Sequence, residues 1–242
     1  MNQSPPKSTK YTFKRYEKKY LLTPEQYEAF MAVASQHIVP DAFHKSLVCS
    51  VYYDTDDYEL IRRSLSKPVY KEKLRVRSYG VPGEDSPVFV ELKKKYKGVV
   101  YKRRVQVPCQ TAEKWIAGEE PAPADTQITR EIDRFIAVNS ISPKAFIGSE
   151  RVSWQDKDDP ELRFTFDHVI KWRTERLSLT EGYFGEDLLH DGSVLMEIKI
   201  PSAAPLWLAE LLSREKIFPR GFSKYGTCYK NEILKSVFST ED

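Results

Sequence analysis

Val69-Tyr70-Lys71-Glu72-Lys73-Leu74-Arg75-Val76-Arg77 alternates with the period of a β-strand, which puts Lys71, Lys73, Arg75 and Arg77 on one face. Val88 to Lys95 follows as a second strand, with Phe89, Glu91, Lys93 and Lys95 on one face. Lys97-Gly98 reads as a tight hairpin turn and Val99 to Val107 as the return strand, where Lys102, Arg104 and Gln106 oppose Tyr101, Arg103 and Val105. Like charges on neighbouring strands repel, so such a face needs water or a polyanion against it. One strand of this kind alone would be a solvated sheet face. Three in succession, each with apolar residues on its other face, favour the polyanion.

The remaining chain supports a sheet of about eight strands with helices between and after them. Residues 1–10 read as a disordered polar tail, and 11–242 as one domain whose size allows a substantial core. Tyr11 to Leu22 is a strand with Arg15, Glu17 and Lys19 on one face. Thr23-Pro24 begins a helix running to about Ser35. Further strands are expected at Ser46 to Asp54, Lys144 to Gln155, Glu161 to Trp172 and Ser193 to Ile200. Helices are expected at Thr111 to Gly118, Thr126 to Val138, Leu206 to Lys216 and Thr227 to Phe238, with Arg220 to Tyr225 as a loop. Polar and apolar faces on so many strands suggest an α+β fold: a closed, charge-lined sheet with the helices outside.

The formal net charge is only +3, so the cationic cluster is local and describes a site rather than a general affinity for nucleic acid. The three cysteines, Cys49, Cys109 and Cys228, are too far apart for a metal knuckle and suit a reducing cytoplasm. No apolar run approaches the length of a membrane span, so no direct membrane insertion is expected.

No GxSxG, HExxH, P-loop or GxGxxG motif occurs, and His37, His44, His168 and His190 are scattered. A base-stacking sheet would need aromatics on the cationic face, and Phe89 is the clear case, which argues against nucleic acid as substrate. Phosphoryl transfer fits cations without a nucleophile, because its loose transition state is stabilised by placement and positive charge. A phosphate acceptor is already anionic and needs no strong base. Glu17, Glu91, Asp167 and Glu197 share the inward parity; each either holds a divalent metal through hard oxygens or pairs with neighbouring cations.

Arg15-Tyr-Glu-Lys-Lys-Tyr-Leu-Leu22, Lys73-Leu-Arg-Val-Arg77, Glu91-Leu-Lys93, Glu197-Ile-Lys199 and Phe222-Ser-Lys-Tyr225 occur in that order. Each motif is weak alone, but together, over about Lys14 to Leu234, they closely resemble the VTC domain, the polyphosphate-polymerase branch of the CYTH-like triphosphate tunnel metalloenzymes. The resemblance implies an eight-stranded antiparallel β tunnel, a closed barrel with a basic lining. It also implies an enzyme that uses a divalent metal (Mn or Mg) to transfer the γ-phosphate of ATP to a growing polyphosphate chain. Carried over by motif, Lys19, Arg75, Arg77, Lys93 and Lys224 are the catalytic residues. Lys73, Lys102, Arg104, Arg151, Arg163, Lys199 and Ser223 bind phosphate, and Glu197 with Glu17 binds the metal.

The chain departs from the superfamily's hydrolases, which open with ExExK, in carrying Arg15 at the first Glu. That weakens, without removing, the alternatives of an inorganic or nucleoside triphosphatase. A non-catalytic polyphosphate-binding module is the third reading. The SPX domain and membrane spans of eukaryotic VTC subunits are not found, so delivery of polymer across a membrane implies a membrane-protein partner. Crowded inward cations repel, so removing Arg75 or Arg77 is expected to leave the fold intact.

Overall fold

The hairpin at the centre of the sequence is also the centre of the architecture. A computed structural model describes residues 16–97, 99–201 and 203–234. The expected tail at 1–10, the start of the first strand including Arg15, Gly98 of the hairpin turn, and the end of the last helix lie outside the described residues.

The strands are β1 (Tyr16–Leu22), β2 (Ile38–Asp54), β3 (Tyr70–Tyr79), β4 (Pro87–Tyr96), β5 (Val99–Pro108), β6 (Ser142–Asp156), β7 (Arg163–Arg173), β8 (Glu186–Asp187) and β9 (Val194–Ile200). The helices are α1 (Pro24–Ala34), α2 (Glu59–Leu65), α3 (Cys109–Ala117), α4 (Gln127–Asn139), α5 (Leu206–Arg214) and α6 (Lys224–Cys228), the last continued by a π-helical turn over Tyr229–Ile233. One antiparallel sheet runs in the order β1-β9-β7-β6-β2-β3-β4-β5, with the short β8 added to β7.

The β3–β4–β5 register follows the parity of the sequence. Lys73 faces Lys93, which faces Lys102, and Arg75 faces Glu91, which faces Arg104. The opposite face carries Leu74, Val76, Val90 and Leu92, all buried, against α3 and α4 through Trp115, Ile116, Ile132 and Phe135. A second core lies where α1 and α5 cover β1, β7 and β9, built on Phe30, Phe164, Phe166, Met196 and Leu208. Thr23 caps α1 in a reciprocal box with Gln26, as Ser/Thr caps do by satisfying free backbone amides.

Two expectations are corrected. The sheet path is open: its ends are β1 and β5, and among the described residues they are not paired with each other. Alternation requires only two unlike faces, and a curled open sheet meets that condition as well as a closed barrel does. The curl still brings β1 within reach of β4, because Glu17 and Lys93 interact electrostatically across the interior. The second correction concerns α6, which begins within the stretch read as a loop and does not lie outside. Tyr225, Cys228, Tyr229 and Ile233 pack on Tyr52, Ala145, Ile147 and Leu195 of the inner face, filling one end of the channel.

Candidate functional site

The inward face of this curled sheet collects the charged residues that parity separated from the core. β1 contributes Glu17 and Lys19, directly opposite Lys199 and Glu197 of β9. Glu197 lies opposite Thr165 of β7, and Asp167 of β7 lies opposite Arg151 of β6. β2 contributes Ser50 and Tyr52, opposite Arg77 and Arg75.

Two carboxylates are gripped by cations. Glu91, 1% exposed, accepts from Arg75 Nε at 2.8 Å and from Arg75 NH2 at 2.6 Å, and its other oxygen pairs with Lys102. Burial alone would raise its pKa, but Arg75, Arg77 and Lys102 outweigh it and hold the carboxyl down to about 2. Asp167 is fully buried and accepts from Arg151 Nε at 2.8 Å, Arg151 NH2 at 2.7 Å and Ser149 Oγ at 3.1 Å, with Lys224 Nζ at 3.0 Å. Against the same burial effect, Lys224 and Arg151 hold Asp167 well below the usual carboxylate range.

Ser149 reaches inward by the alternation that also turns Ile147 and Arg151 to that face, while the extra residue of the β6–β7 bulge lies in β7 between His168 and Lys171. A side chain at Gly148 could not fit, since its Cβ would stand 2.7 Å from the Tyr183 ring. Lys224 Nζ donates to Ser149 Oγ at 2.7 Å, and Lys73 Nζ donates to Ser223 Oγ at 3.1 Å. Burial pushes both lysines down to about 8. α6 is anchored behind them: Tyr225 donates to Asp54 at 3.0 Å, while Asp54 accepts from the backbone amides of Leu60 and Ile61 at the start of α2.

The other two carboxylates neighbour each other and are met by cations at longer range. The adjacent Glu197 carboxyl raises the Glu17 pKa, with help from burial. Glu197 is held low, since Glu17 together with Lys19 and Arg151 overcomes its own burial. Lys19 stands 3.4 Å from Glu197 and 3.9 Å from Glu17. Two adjacent carboxyls sharing a proton suit a divalent cation, which displaces the proton and takes hard oxygen ligands. Two ligands are fewer than such an ion requires, and among the described residues no cluster of three His, Cys, Asp or Glu completes a cage. The pair therefore fits a metal that also takes phosphate and water oxygens.

Several cations make no ion pair within 4.0 Å among the described residues: Lys93, Lys199, Arg77 and Arg104. Arg77 donates to Ser50 Oγ at 3.1 Å, and burial next to Arg75 lowers its guanidinium to about 10. Arg104 lies over the Phe89 ring at 4.8 Å. Arg163 stands apart from the rest, exposed at the rim with Nε on the Pro160 carbonyl.

Tyr52 of β2 joins this lining: its hydroxyl accepts from Arg75 Nη1 at 3.1 Å and its ring stacks on Tyr225 at 4.9 Å. Burial would raise the phenol, but Arg75, Arg77 and Lys224 reverse that and bring it down to about 7. Its signal in the sequence was parity with Ser50, on the polar side of β2. The four histidines lie apart from these groups. His37 stacks on Trp207, His44 meets Trp154 edge-on, His168 meets Tyr27, and His190 is exposed.

A family model described as VTC domain matches residues 14–232. No curated protein matches the chain. A candidate adenylate cyclase from Bacillus halodurans aligns with a TM-score of 0.54 at 14% identity, covering 86% of this chain and 92% of that one. A candidate adenylyl cyclase from Hippeastrum with a dominant triphosphatase activity aligns with a TM-score of 0.49 at 16% identity, covering 86% of this chain and 92% of that one. At such identity the likeness to the Bacillus protein is one of fold, an α+β arrangement on an antiparallel sheet.

Proposed function

We propose, from the premise that the chain belongs to the VTC domain family, that it is a cytoplasmic, metal-dependent polyphosphate polymerase. In this reading it transfers the γ-phosphate of ATP to the end of a polyphosphate chain lying in the basic channel. The observation that carries the reading is the distribution of charge. Cations project inward from β1, β3, β4, β5, β6, β9 and α6, and much of that charge is left unneutralised. A slim polyanion gripped at many modest points can advance without release, so long products should dominate.

Arg77, Lys93 and Lys199 are the cations free to meet phosphate oxygens. Arg75 is fixed in direction by Glu91 and Tyr52, so it presents its charge without reorganising, the arrangement that best stabilises a developing anion. Lys73 with Ser223, and Lys224 with Ser149, add donors from the α6 end. Lys102 and Arg151 serve through the carboxylates they hold in place, with Arg104 and Arg163 nearer the rim. Glu197 and Glu17 would hold a divalent metal, Mn²⁺ or Mg²⁺, which when bound neutralises charge between phosphate oxygens. The terminal oxygen of the acceptor is anionic before reaction, and the lining accordingly needs no base to activate it.

Among the described residues no helix is long and apolar enough to cross a membrane. Export of polymer would fall to a membrane-protein partner. The test is incubation with ATP, a short polyphosphate primer and Mn²⁺ or Mg²⁺, followed by separation of polymer from free phosphate. Long polymer with a minor hydrolytic leak is expected. Stoichiometric free phosphate without polymer would replace the reading with a triphosphatase. Polyphosphate binding without either product would make the chain a binding module.

A further inference from the structure

Phe89 is out of place on its face. Its neighbours along β4, Val88 and Val90, are fully buried in the core, whereas Phe89 shares the inward face with Glu91 and Lys93 and is only half-buried. Across the strands it faces Arg77 on one side and Gln106 on the other. An aromatic ring in a charged lining makes no direct contact of its own with polyphosphate, which has no apolar surface.

The ring is part of a small assembly. The Arg104 guanidinium lies over it at 4.8 Å, and Tyr79 meets it edge-on, with centroids 6.0 Å apart and planes at 80°. Tyr79 is 55% exposed, and Arg104 and Gln106 are exposed as well. Ring and cation form a two-layer platform, Tyr79 forms a wall, and the Gln106 carboxamide offers both a donor and acceptors beside it. The assembly lies one inward position from Glu91 along β4, about 7 Å, and so adjoins the Arg75–Glu91 level of the channel. Tyr52, another inward ring, lies at the Arg75–Glu91 level but is buried against Tyr225 and is not available in the same way.

We propose that Phe89, Arg104, Tyr79 and Gln106 form a nucleobase subsite that takes the base of a nucleoside triphosphate while its phosphates extend toward Arg75, Arg77 and Lys93. The inference rests on the phosphate-channel reading and adds the donor's other half to it. Flat heteroaromatic rings stack on aromatic and guanidinium planes irrespective of base identity. The subsite therefore selects nucleoside triphosphates over bare triphosphate, with little preference among bases. One platform holds one base, which distinguishes this site from a surface that tracks a nucleic-acid strand.

The test compares ATP with inorganic tripolyphosphate by titration calorimetry on wild type, Phe89→Leu and Phe89→Ala. The leucine variant keeps the apolar volume and loses the flat ring, so it serves where the alanine variant melts early. Wild type should bind ATP more tightly than tripolyphosphate. Either variant should lose about tenfold in ATP affinity with tripolyphosphate affinity unchanged, and Phe89→Trp should restore ATP binding. Equal weakening of both ligands would overturn the proposal, because Phe89 would then act only by seating Arg104. Unchanged ATP affinity would overturn it too. Failure of the polymerase reading looks different: a preference for ATP that depends on Phe89, in a protein that makes no polymer, keeps the subsite and discards the polymerase. Tripolyphosphate binding with no preference for ATP, in a protein that makes polymer, does the reverse.

Discussion

Asp167 and Glu91 are each held at close range by two cations, whereas Glu17 and Glu197 neighbour one another and meet their nearest cations at 3.4–3.9 Å. All four are carboxylates on the same inward face, and parity alone gives them equivalent roles. What separates them is depth and company. Asp167 and Glu91 are essentially without solvent and are held strongly ionised by arginines and lysines. Such groups are struts: they let cations crowd together and fix the direction in which each guanidinium points. Glu17 keeps more solvent and sits next to a like group, which favours a shared proton. That is the condition of a site waiting for a cation. The comparison assigns rigidity to one side of the channel and ligand exchange to the other.

The sharpest way to break this division is Asp167→Asn. The substitution keeps the size but leaves Arg151 and Lys224 buried without the carboxylate between them. Removing one partner of a buried pair typically costs about 3–5 kcal/mol, read as a lower denaturant midpoint. Because the folded pKa of Asp167 is depressed, its stabilisation is present above the ordinary value of 3.8 and fades as pH falls below it. The variant should therefore lose less stability than wild type between neutral and acid pH. A cost under about 1 kcal/mol, the size of an exposed pair, would mean that Asp167 is no strut.

Glu197→Gln probes the other side and should invert the pattern. Stability should fall less than in Asp167→Asn, since Lys19 and Arg151 lie 3.4 and 3.9 Å from Glu197 and Arg151 keeps its closer bonds to Asp167. Turnover with metal should fall by more than the roughly 100-fold that loss of an outer-shell metal partner costs. Metal-free nucleotide binding should hold or tighten, because a negative charge leaves a basic lining. Wild-type turnover would place the metal elsewhere and merge the two classes of carboxylate.

Arg75 and Arg77 extend the comparison to cations, and here the structure divides what the sequence treated alike. Arg75 neutralises Glu91, so Arg75→Ala should lower the melting temperature of the empty protein. Arg77 makes no close ion pair and is crowded by Arg75, so Arg77→Ala should leave that temperature unchanged or raise it. Both should reduce the stabilisation by added triphosphate, about 2.7 kcal/mol at a hundred times the dissociation constant in an intact site. A full ligand-induced shift in Arg77→Ala would remove Arg77 from the phosphate site.

The central hairpin was legible because its information is local. Period 2 from Val69 to Val107 places each side chain on a face, and the observed register Arg75–Glu91–Arg104 follows from pairing adjacent strands through one turn. The pairs that decide function come from distant positions. Nothing near Asp167 announces Lys224, and nothing near Glu17 announces Glu197. Ser223-Lys224 was legible as a motif but not as a helix start lying on the inner face, since that placement depends on Tyr225 stacking on Tyr52. Closure was overread, for a two-faced pattern carries no record of whether the last strand meets the first.

Tyr52→Phe should have the smallest effect and tests the rigid side most finely. It removes one hydroxyl while keeping the ring on Tyr225 and both bonds from Arg75 to Glu91. Stability should fall by no more than about 0.5–1.5 kcal/mol, the net worth of a typical hydrogen bond. The informative readout is the pH profile of triphosphate binding. In the empty protein the surrounding cations hold the Tyr52 phenol at about 7, so above that pH a phenolate faces Arg75 and Arg77 and cancels part of the charge a triphosphate would use. Binding a polyanion there requires the phenolate to take a proton back, and wild-type affinity should decline as pH rises from 7. Lys224 and Lys73, held down to about 8, then lose their own protons and deepen the decline. Phenylalanine cannot ionise, so in the variant affinity should stay level through 7 and begin to fall only near 8. Calorimetry in buffers of different ionisation enthalpy would show the matching change, with wild type taking up more proton on binding at pH 7.5 than the variant, in which Lys224 and Lys73 still contribute. Superimposable pH profiles would mean that Tyr52 stays neutral and holds Arg75 by its hydrogen bond alone.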